Sequence, residues 1–376
     1  EIDPDATIRK HVLVNRMYCF FQSLVKRQVR VYFLFLIMVL SCAGQTVRNT
    51  AVMPLGAGFS VNSDANRTGD VYRAENVDGN YLFFLEKLFL TAESKGGSKI
   101  IPSQFPRIAL KIKSAYAPGL QVSRSLVDAL LAVLRKRGYG EDQILLVDRE
   151  REGLVSGGFL VAGQTNNRYQ GHAVVCSVDQ AYYNPVWFHD SPMPPTLHDR
   201  ARLFLRYPFD REMRMKEERK SFLPRILFEK DTFWISLAVA TDNLYLGIDG
   251  ASANMTTGAI SNFQRFLEKP TLAPAAVTEI LAIPEIWQKR AYSIVDLSRF
   301  QFANGGKFDA EFLGREPTLL LSENPFSVDR VALESLNERR KKLGFSERGS
   351  GSLLLFKYAQ ELGLGDWGKT KIVQVR

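Results

Sequence analysis

The sequence predicts an α/β protein: a mostly parallel sheet with helices on both faces, interrupted by a Pro-rich irregular insertion. Three observations lead there. Apolar, β-rich runs alternate with segments of helical spacing along the chain. The first strand, helix and strand, over residues 107–148, read as a βαβ unit with a right-handed crossover. The composition, 45% hydrophobic and 24% charged, is that of a globular protein with a sizeable core.

The elements follow in order. Residues 45–80 are rich in Asn, Asp, Gly and Thr and read as a tether and lead-in, with residues 45–100 placed outside a single α/β domain over residues 101–376. "YLFFLEKLFLTAE" (Tyr81–Glu93) is a short helix or strand, which periodicity does not decide. "RIALKIK" (Arg107–Lys113) is a strand. Ser123 then caps a helix whose apolar positions are Leu126, Val127, Leu130, Leu131 and Leu134, and Gly138 lies just past its end. "QILLVD" (Gln143–Asp148) and "HAVVCSVD" (His172–Asp179) are strands. Residues 180–230 carry six prolines and a dense charge run over Arg211–Lys220, and read as an excursion or lid. Phe233–Ala240 is a buried strand, followed by a loop of small residues that includes Gly247, Gly250 and Gly258. Ala273–Arg290 is helical with a break at Pro284, and Ala291–Leu297 and Pro317–Glu323 are strands. Pro325 opens an amphipathic helix that Gly344 closes. A last helix near Leu353–Gly365 and a last strand near Lys369–Val375 complete the chain, and no internal repeat is visible.

Composition also excludes. The chain holds 49 Lys and Arg against 40 Asp and Glu, a net charge of +9, with part of the excess in residues 1–42. This mild basicity suits an anionic ligand or membrane surface, and no nucleic-acid module is recognisable. Of the three cysteines, Cys19 and Cys42 fall near the N-terminal apolar run, leaving Cys176 alone in the body. An iron–sulfur cluster, a cysteine zinc site and an internal disulfide framework are therefore not expected. "VKRQVRVYFLFLIMVLSCAGQ" (Val25–Gln45) has the order of an export signal: basic residues, then apolar Val31–Leu40, then small residues. It could be cut near Ala43, be lipidated at Cys42 as a lipoprotein, or stay as an anchor; Met17 is an alternative start. Each points to the cell envelope of a bacterium.

In open α/β sheets, ligands bind beyond the carboxyl ends of the strands. The residues there are Lys113, Ser114 and Tyr116; Asp148 and Arg149; Ser177 and Asp179; Thr241, Asp242 and Asn243; Asp296; and Ser322, Glu323 and Asn324. The recurrent carboxylates suit either a hard cation or proton chemistry by acids, although Asp and Asn also favour turns. Exposed amides of the loop around Gly250 could cradle an anion. His172 and Cys176 share a strand face and read as a buried pair. His189 and His198, each followed by an aspartate, form a weaker transition-metal alternative with Asp190 and Asp199. No Ser-His-Asp elbow, Walker loop or dinucleotide fingerprint is present.

"SENPFSVDRVALESLNERRKKLGF" (Ser322–Phe345) resembles the "DPVAxDxxGxxILxxxRxxxGL" segment of the domain-of-unknown-function 362 family. "YAQELGLGDWGKTKIVQV" is similar to that family's closing segment, and Ile108–Asp148 to its opening. The resemblance spans Arg107 to Val375. It implies a largely uncharacterised activity, with a redox role in relatives that carry ferredoxin-like cysteine clusters, which this chain lacks. It also implies site positions at Lys113, Asn254 and Asp329, the last a retained aspartate. The chain departs from the pattern where Ser114 and Ala115 replace Pro-Asn, Asn243 stands for a frequent His, Ala253 for a Lys, and Asn324 for an Asp.

Two expectations result. One is an exported metal- or anion-handling enzyme with catalytic candidates Lys113, Asp148, Asp242 and Asp329 and ligand-binding candidates Asn243, Gly250, Asn254 and Asn324. The other is a non-catalytic envelope protein that binds a ligand or partner.

Overall fold

The computed structural model describes residues 69–376, apart from positions 78, 164–166, 180–181, 192–194, 268–270, 350–352 and 367–368. The segment expected to direct export, with Cys19 and Cys42, and the prolines at 192 and 194 lie outside the described residues.

In chain order the strands are β1 (Val71–Ala74), β2 (Arg107–Ile112), β3 (Ile144–Val147), β4 (Arg168–Tyr169), β5 (His172–Val175), β6 (Tyr183–Asp190), β7 (Lys220–Pro224), β8 (Thr232–Asn243), β9 (Gly247–Asp249), β10 (Arg290–Gln301), β11 (Leu313–Gly314), β12 (Leu319–Ser322) and β13 (Ile372–Val375). The helices are α1 (Tyr81–Ser94), α2 (Arg124–Lys136), α3 (Arg151–Ser156), α4 (Leu197–Arg206), α5 (Arg211–Glu218), α6 (Ala251–Met255), α7 (Gln264–Leu267), α8 (Leu272–Leu281), α9 (Pro284–Trp287), α10 (Pro325–Lys342) and α11 (Leu354–Glu361).

The main sheet runs β13-β1-β12-β10-β8-β2-β3-β5-β4, with β9 beside β8 and β11 beside β10. Its inner strands β10, β8, β2, β3 and β5 are parallel, and antiparallel strands flank them. From β2 the chain steps outward through β3 to β5. It then returns to β8 on the other side of β2 and steps away through β10. The order therefore reverses between β2 and β8, and the carboxyl ends of these strands frame a crevice.

Each face of the sheet carries its own core. Ile108, Leu110 and Ile112 of β2 pack with Leu85 and Phe89 of α1 and with Leu126, Leu130 and Leu134 of α2. Ala109 packs on the opposite face, in the core that holds α6, α8, α10 and α11. Strand alternation puts Lys111 on that second face.

The βαβ expectation holds in its parallel strand pairing and in the caps of its helix. Ser123 Oγ accepts the Leu126 N–H at 3.2 Å, Arg135 and Lys136 occupy the last turn of α2, and Gly138 follows with φ +96°. Tyr81–Ser94 is a helix. Its buried positions, Tyr81, Leu85, Leu88, Phe89 and Ala92, have helical spacing, which exposed Leu82, Phe83 and Leu90 had obscured. The lead-in reading of residues 45–100 needs correction: β1 is hydrogen-bonded between β12 and β13, so the sheet begins before residue 101. Four residues are too few to show a period, and partners on both sides make the strand. The insertion contains an antiparallel β6–β7 pair with α4 and α5 between its strands, more regular than its prolines and charges suggest.

Candidate functional site

A cavity of about 580 Å³ opens at the crevice between β2 and β8. Three connections build it: Lys113–Tyr116 after β2, Asp148–Gly153 after β3, and Asn243–Tyr245 after β8. Asn254 and Thr257 from α6 and its exit, Phe263, and the Gly305–Gly306 turn complete the lining. That turn lies against the end of β8 so tightly that a Cβ on Gly305 would sit 1.5 Å from the Asp242 carbonyl oxygen. Only glycine permits this wall.

The floor is a buried polar chain. Lys111 is 3% exposed, and its Nζ donates to Asp148 Oδ1 at 2.6 Å, Asn254 Oδ1 at 2.9 Å and the Ile112 carbonyl at 3.1 Å. All three ammonium protons are thereby used. Burial pushes the Lys111 pKa down, against the upward pull of Asp148. Four donors converge on Asp148: Lys111 Nζ and the Arg149 N–H on Oδ1, and the N–H and hydroxyl of Ser114 on Oδ2. Asn254 Nδ2 donates to Ser236 Oγ and to the Lys111 carbonyl, both at 3.0 Å, which orients the amide so that its oxygen faces Lys111.

Lys113 forms the second cationic point. It donates to Thr241 Oγ1 at 3.0 Å and the Asp249 carbonyl at 2.6 Å, and it pairs with Asp249 Oδ1 at 2.9 Å. Arg149 lies 3.5 Å from the centre of the Phe263 ring, donates to the Thr257 carbonyl at 2.6 Å and pairs with Glu150. Tyr116 is also on the wall, its hydroxyl pKa raised by burial.

Of the sequence candidates, Lys113, Asp148, Asn243 and Asn254 line this one cavity. Asn243 Oδ1 accepts the N–H groups of Tyr245 and Leu246 at 2.9 Å, shaping the turn that carries the rim. The other candidates have different surroundings. Asp242 is buried between Arg348, which it meets through two hydrogen bonds of 2.7 and 2.9 Å, and Arg340 at 3.2 Å. It ties the end of β8 to α10. Asp329 accepts the Ala251 and Ser252 N–H groups and the Ser252 hydroxyl, holding the start of α6. Gly250 leaves room for that carboxylate, because a Cβ there would lie 2.2 Å from Asp329 Oδ1. Burial outweighs these donors and raises the Asp329 pKa to about 6. Asn324 caps α10, accepting the Phe326 N–H at 2.9 Å and donating to the Leu364 carbonyl at 2.7 Å.

The remaining strand-end acids are engaged elsewhere. Asp179 accepts the Cys176 N–H, Asp296 takes Tyr81 and Ser298, and Glu323 takes the Ser98 N–H. His172 is a core residue: Arg135 can only donate to its Nε2, so Nδ1 carries the proton given to the Glu141 carbonyl. His189 pairs with Glu279, Asp190 with Arg219, and Asp199 accepts the hydroxyl of Thr196, which caps α4, so the four-ligand alternative is not assembled. Among the described residues no group of three or more His, Cys, Asp or Glu is placed to hold a metal ion. None of their helices is long and apolar enough to cross a membrane.

Sequence reasoning missed Lys111, the most deeply engaged cation of the floor. The signal was the i, i+2 spacing of Lys111 and Lys113 in an otherwise apolar strand, which places both on one face. Asp249 and Phe263 gave no signal.

No protein-family model matches the chain. No curated protein matches it. Among solved structures, a Thermotoga maritima protein determined by the Northeast Structural Genomics Consortium is similar at 11% identity, with a TM-score of 0.34. The similarity covers 62% of this chain and 54% of that one, so this chain spans about half the length of that relative.

Proposed function

We propose that the cavity binds a small anionic organic molecule and moves a proton on it, with Lys111 and Asp148 as the proton-transfer couple. The observation that carries this is the Lys111–Asp148 pair itself. Two buried, oppositely charged groups lie at the floor of a cavity, at the point where the strand order reverses. Such a pair is a weak source of stability, because desolvation offsets its attraction. A lysine whose pKa is lowered by burial is, however, suited to acid–base or nucleophilic work. Arg149 supplies the anion anchor: its bonds to Glu150 and Thr257 use three of its five N–H groups and leave two for a ligand. The donor set favours an anion over a metal ion, since a cation on Asp148 would have to displace four hydrogen-bond donors.

The second expectation, a non-catalytic ligand-binding protein, keeps one specific support: Lys111 has each of its three protons committed inside the protein. Export and membrane tethering through residues 1–44 belong to the same proposal. They rest on the basic–apolar–small order of Val25–Gln45. The relation to the domain-of-unknown-function 362 family rests on the quoted segments.

Thermal-shift measurements against panels of carboxylates, phosphate esters and divalent cations test the reading. Stabilisation by an anion, about 2.7 kcal/mol at a hundredfold excess over Kd, is expected and should vanish in Arg149→Gln. Lys111→Met should lose about 3–5 kcal/mol of stability by stranding Asp148, and Lys111→Met with Asp148→Asn should recover part of it. Stabilisation by divalent cations alone would sink the proposal. Anion binding with no detectable proton exchange into any bound ligand would favour the binding protein.

A further inference from the structure

The insertion between β6 and β7 presents a surface that the cavity does not use. Helix α4 is held to the protein by one narrow stripe, Asp199 and Leu203, the two residues it buries. Its opposite side is apolar and open to solvent. Leu197, Phe204 and Leu205 recur at helical spacing and are 86%, 57% and 75% exposed. The turn after α4 carries Phe209, which is 100% exposed, and Met215 of α5 adds another exposed apolar side chain.

This exposure is built in rather than a frayed loop. Arg214 of α5 donates to the carbonyls of Tyr207 and Pro208, and the Asp210 carboxylate caps α5 by accepting the Met213 N–H at 2.8 Å. The turn is thus clamped with Phe209 outward. Charge decides what would cover it. Arg200 flanks the apolar stripe of α4 on one side and Arg202 on the other, both exposed, while the helix's one acid, Asp199, faces inward and lies 3.7 Å from the Arg202 guanidinium; Arg206, seven residues after Asp199, ends the helix on that inward side. Exposed Arg211 follows at the start of α5; of the two exposed acids beside it, Asp210 is used in capping α5 and Glu212 pairs with Lys216 at 2.8 Å, so the arginines keep the excess charge. An outward apolar stripe bordered by arginines on both sides, with a fixed aromatic at its tip, has the amphipathic order of an element that lies in a membrane interface.

We propose that α4, the Phe209 turn and the start of α5 dock on an anionic lipid surface, with Leu197, Phe204, Leu205 and Phe209 entering the acyl boundary and the arginines meeting lipid phosphates. The docking element is tied to the cavity wall. The Ser261 N–H donates to the Phe222 carbonyl at 3.0 Å and Asn262 Nδ2 to the Lys220 carbonyl at 2.9 Å, and the next residue, Phe263, lines the cavity. Docking there would hold the cavity beside the bilayer, independently of how the N-terminal segment behaves.

The test uses the full chain with vesicles of phosphatidylcholine, with or without phosphatidylglycerol. Phe209→Trp, read as a difference from the parent protein, should show a blue-shifted emission with the anionic vesicles and not with phosphatidylcholine alone. Arg200→Gln and Arg202→Gln should each weaken vesicle binding about fivefold at low salt, and Leu205→Ser should weaken it further. A Phe209→Trp spectrum unchanged by anionic vesicles would overturn the proposal. So would vesicle binding indifferent to all these substitutions, because residues 1–68 would then account for it. A blue shift that needs no vesicles and grows with protein concentration would assign the surface to a second copy of the chain, and also overturn it.

Discussion

At the scale of single residues, the same residue type does opposite things according to its partners. Asp148, Asp242 and Asp329 look alike in sequence as acids at or near element ends. Asp148 faces a lysine on the cavity floor, Asp242 is clamped by two arginines, and Asp329 holds backbone amides in the core. For Asp329 a pH dependence follows. Its folded pKa, about 6, exceeds the roughly 3.9 of an unfolded aspartate, so the folded protein binds this proton more tightly. The stability it contributes is fully present below about pH 4 and is lost as pH rises through 6, by about 3 kcal/mol. Chemical denaturation of the parent protein and of Asp329→Asn between pH 4 and 7 should show that slope in the parent only. Equal slopes would mean that Asp329 does not titrate in this range. Lys113 and Asp148 were legible as site candidates because they close strands whose apolar pattern is plain. Lys111 was not, because a lysine inside an alternating strand reads as its solvent face unless the facing helix is known.

At the scale of elements, local chemistry and tertiary partners divide the work. Helices α2 and α10 announce themselves through Ser123 and Pro325 at their starts and Gly138 and Gly344 past their ends. Asn324→Ala should cost about 1–2 kcal/mol, because the cap of α10 and the bond to the Leu364 carbonyl go together. The urea midpoint measures it, and an unchanged midpoint would assign the start of α10 to packing alone. Strand β1 and helix α6 lack such signals. Val71–Ala74 is a strand because β12 and β13 flank it, and Ala251–Met255 is a helix whose first amides are met by Asp329 from another element. Neither donor nor partner can be seen from inside a segment of four or five residues.

At the scale of the whole molecule, the sheet is unevenly secured. Strands β8 and β10 are twelve residues long, are paired on both sides and have helices over both faces, whereas β6 and β7 pair only with each other at the base of the exposed insertion. Native-state hydrogen exchange should therefore find the slowest amides in β8, β2 and β10 and the fastest strand amides in β6 and β7. Exchange of the hairpin at the rate of the central strands would show that the insertion opens only with the whole protein. The alternation of apolar strands with helical segments determined the α/β class and the parallel inner sheet, since strands buried on both faces and amphipathic helices leave periodic traces in any one stretch of chain. Which strand-end residues share a cavity was decided only by the tertiary structure. Lys111 and Asp148 meet because β3 pairs with β2, and Asn254 joins them because the chain order reverses and places β8 on the other side of β2. That reversal is a property of strand pairing, to which no single segment holds the key.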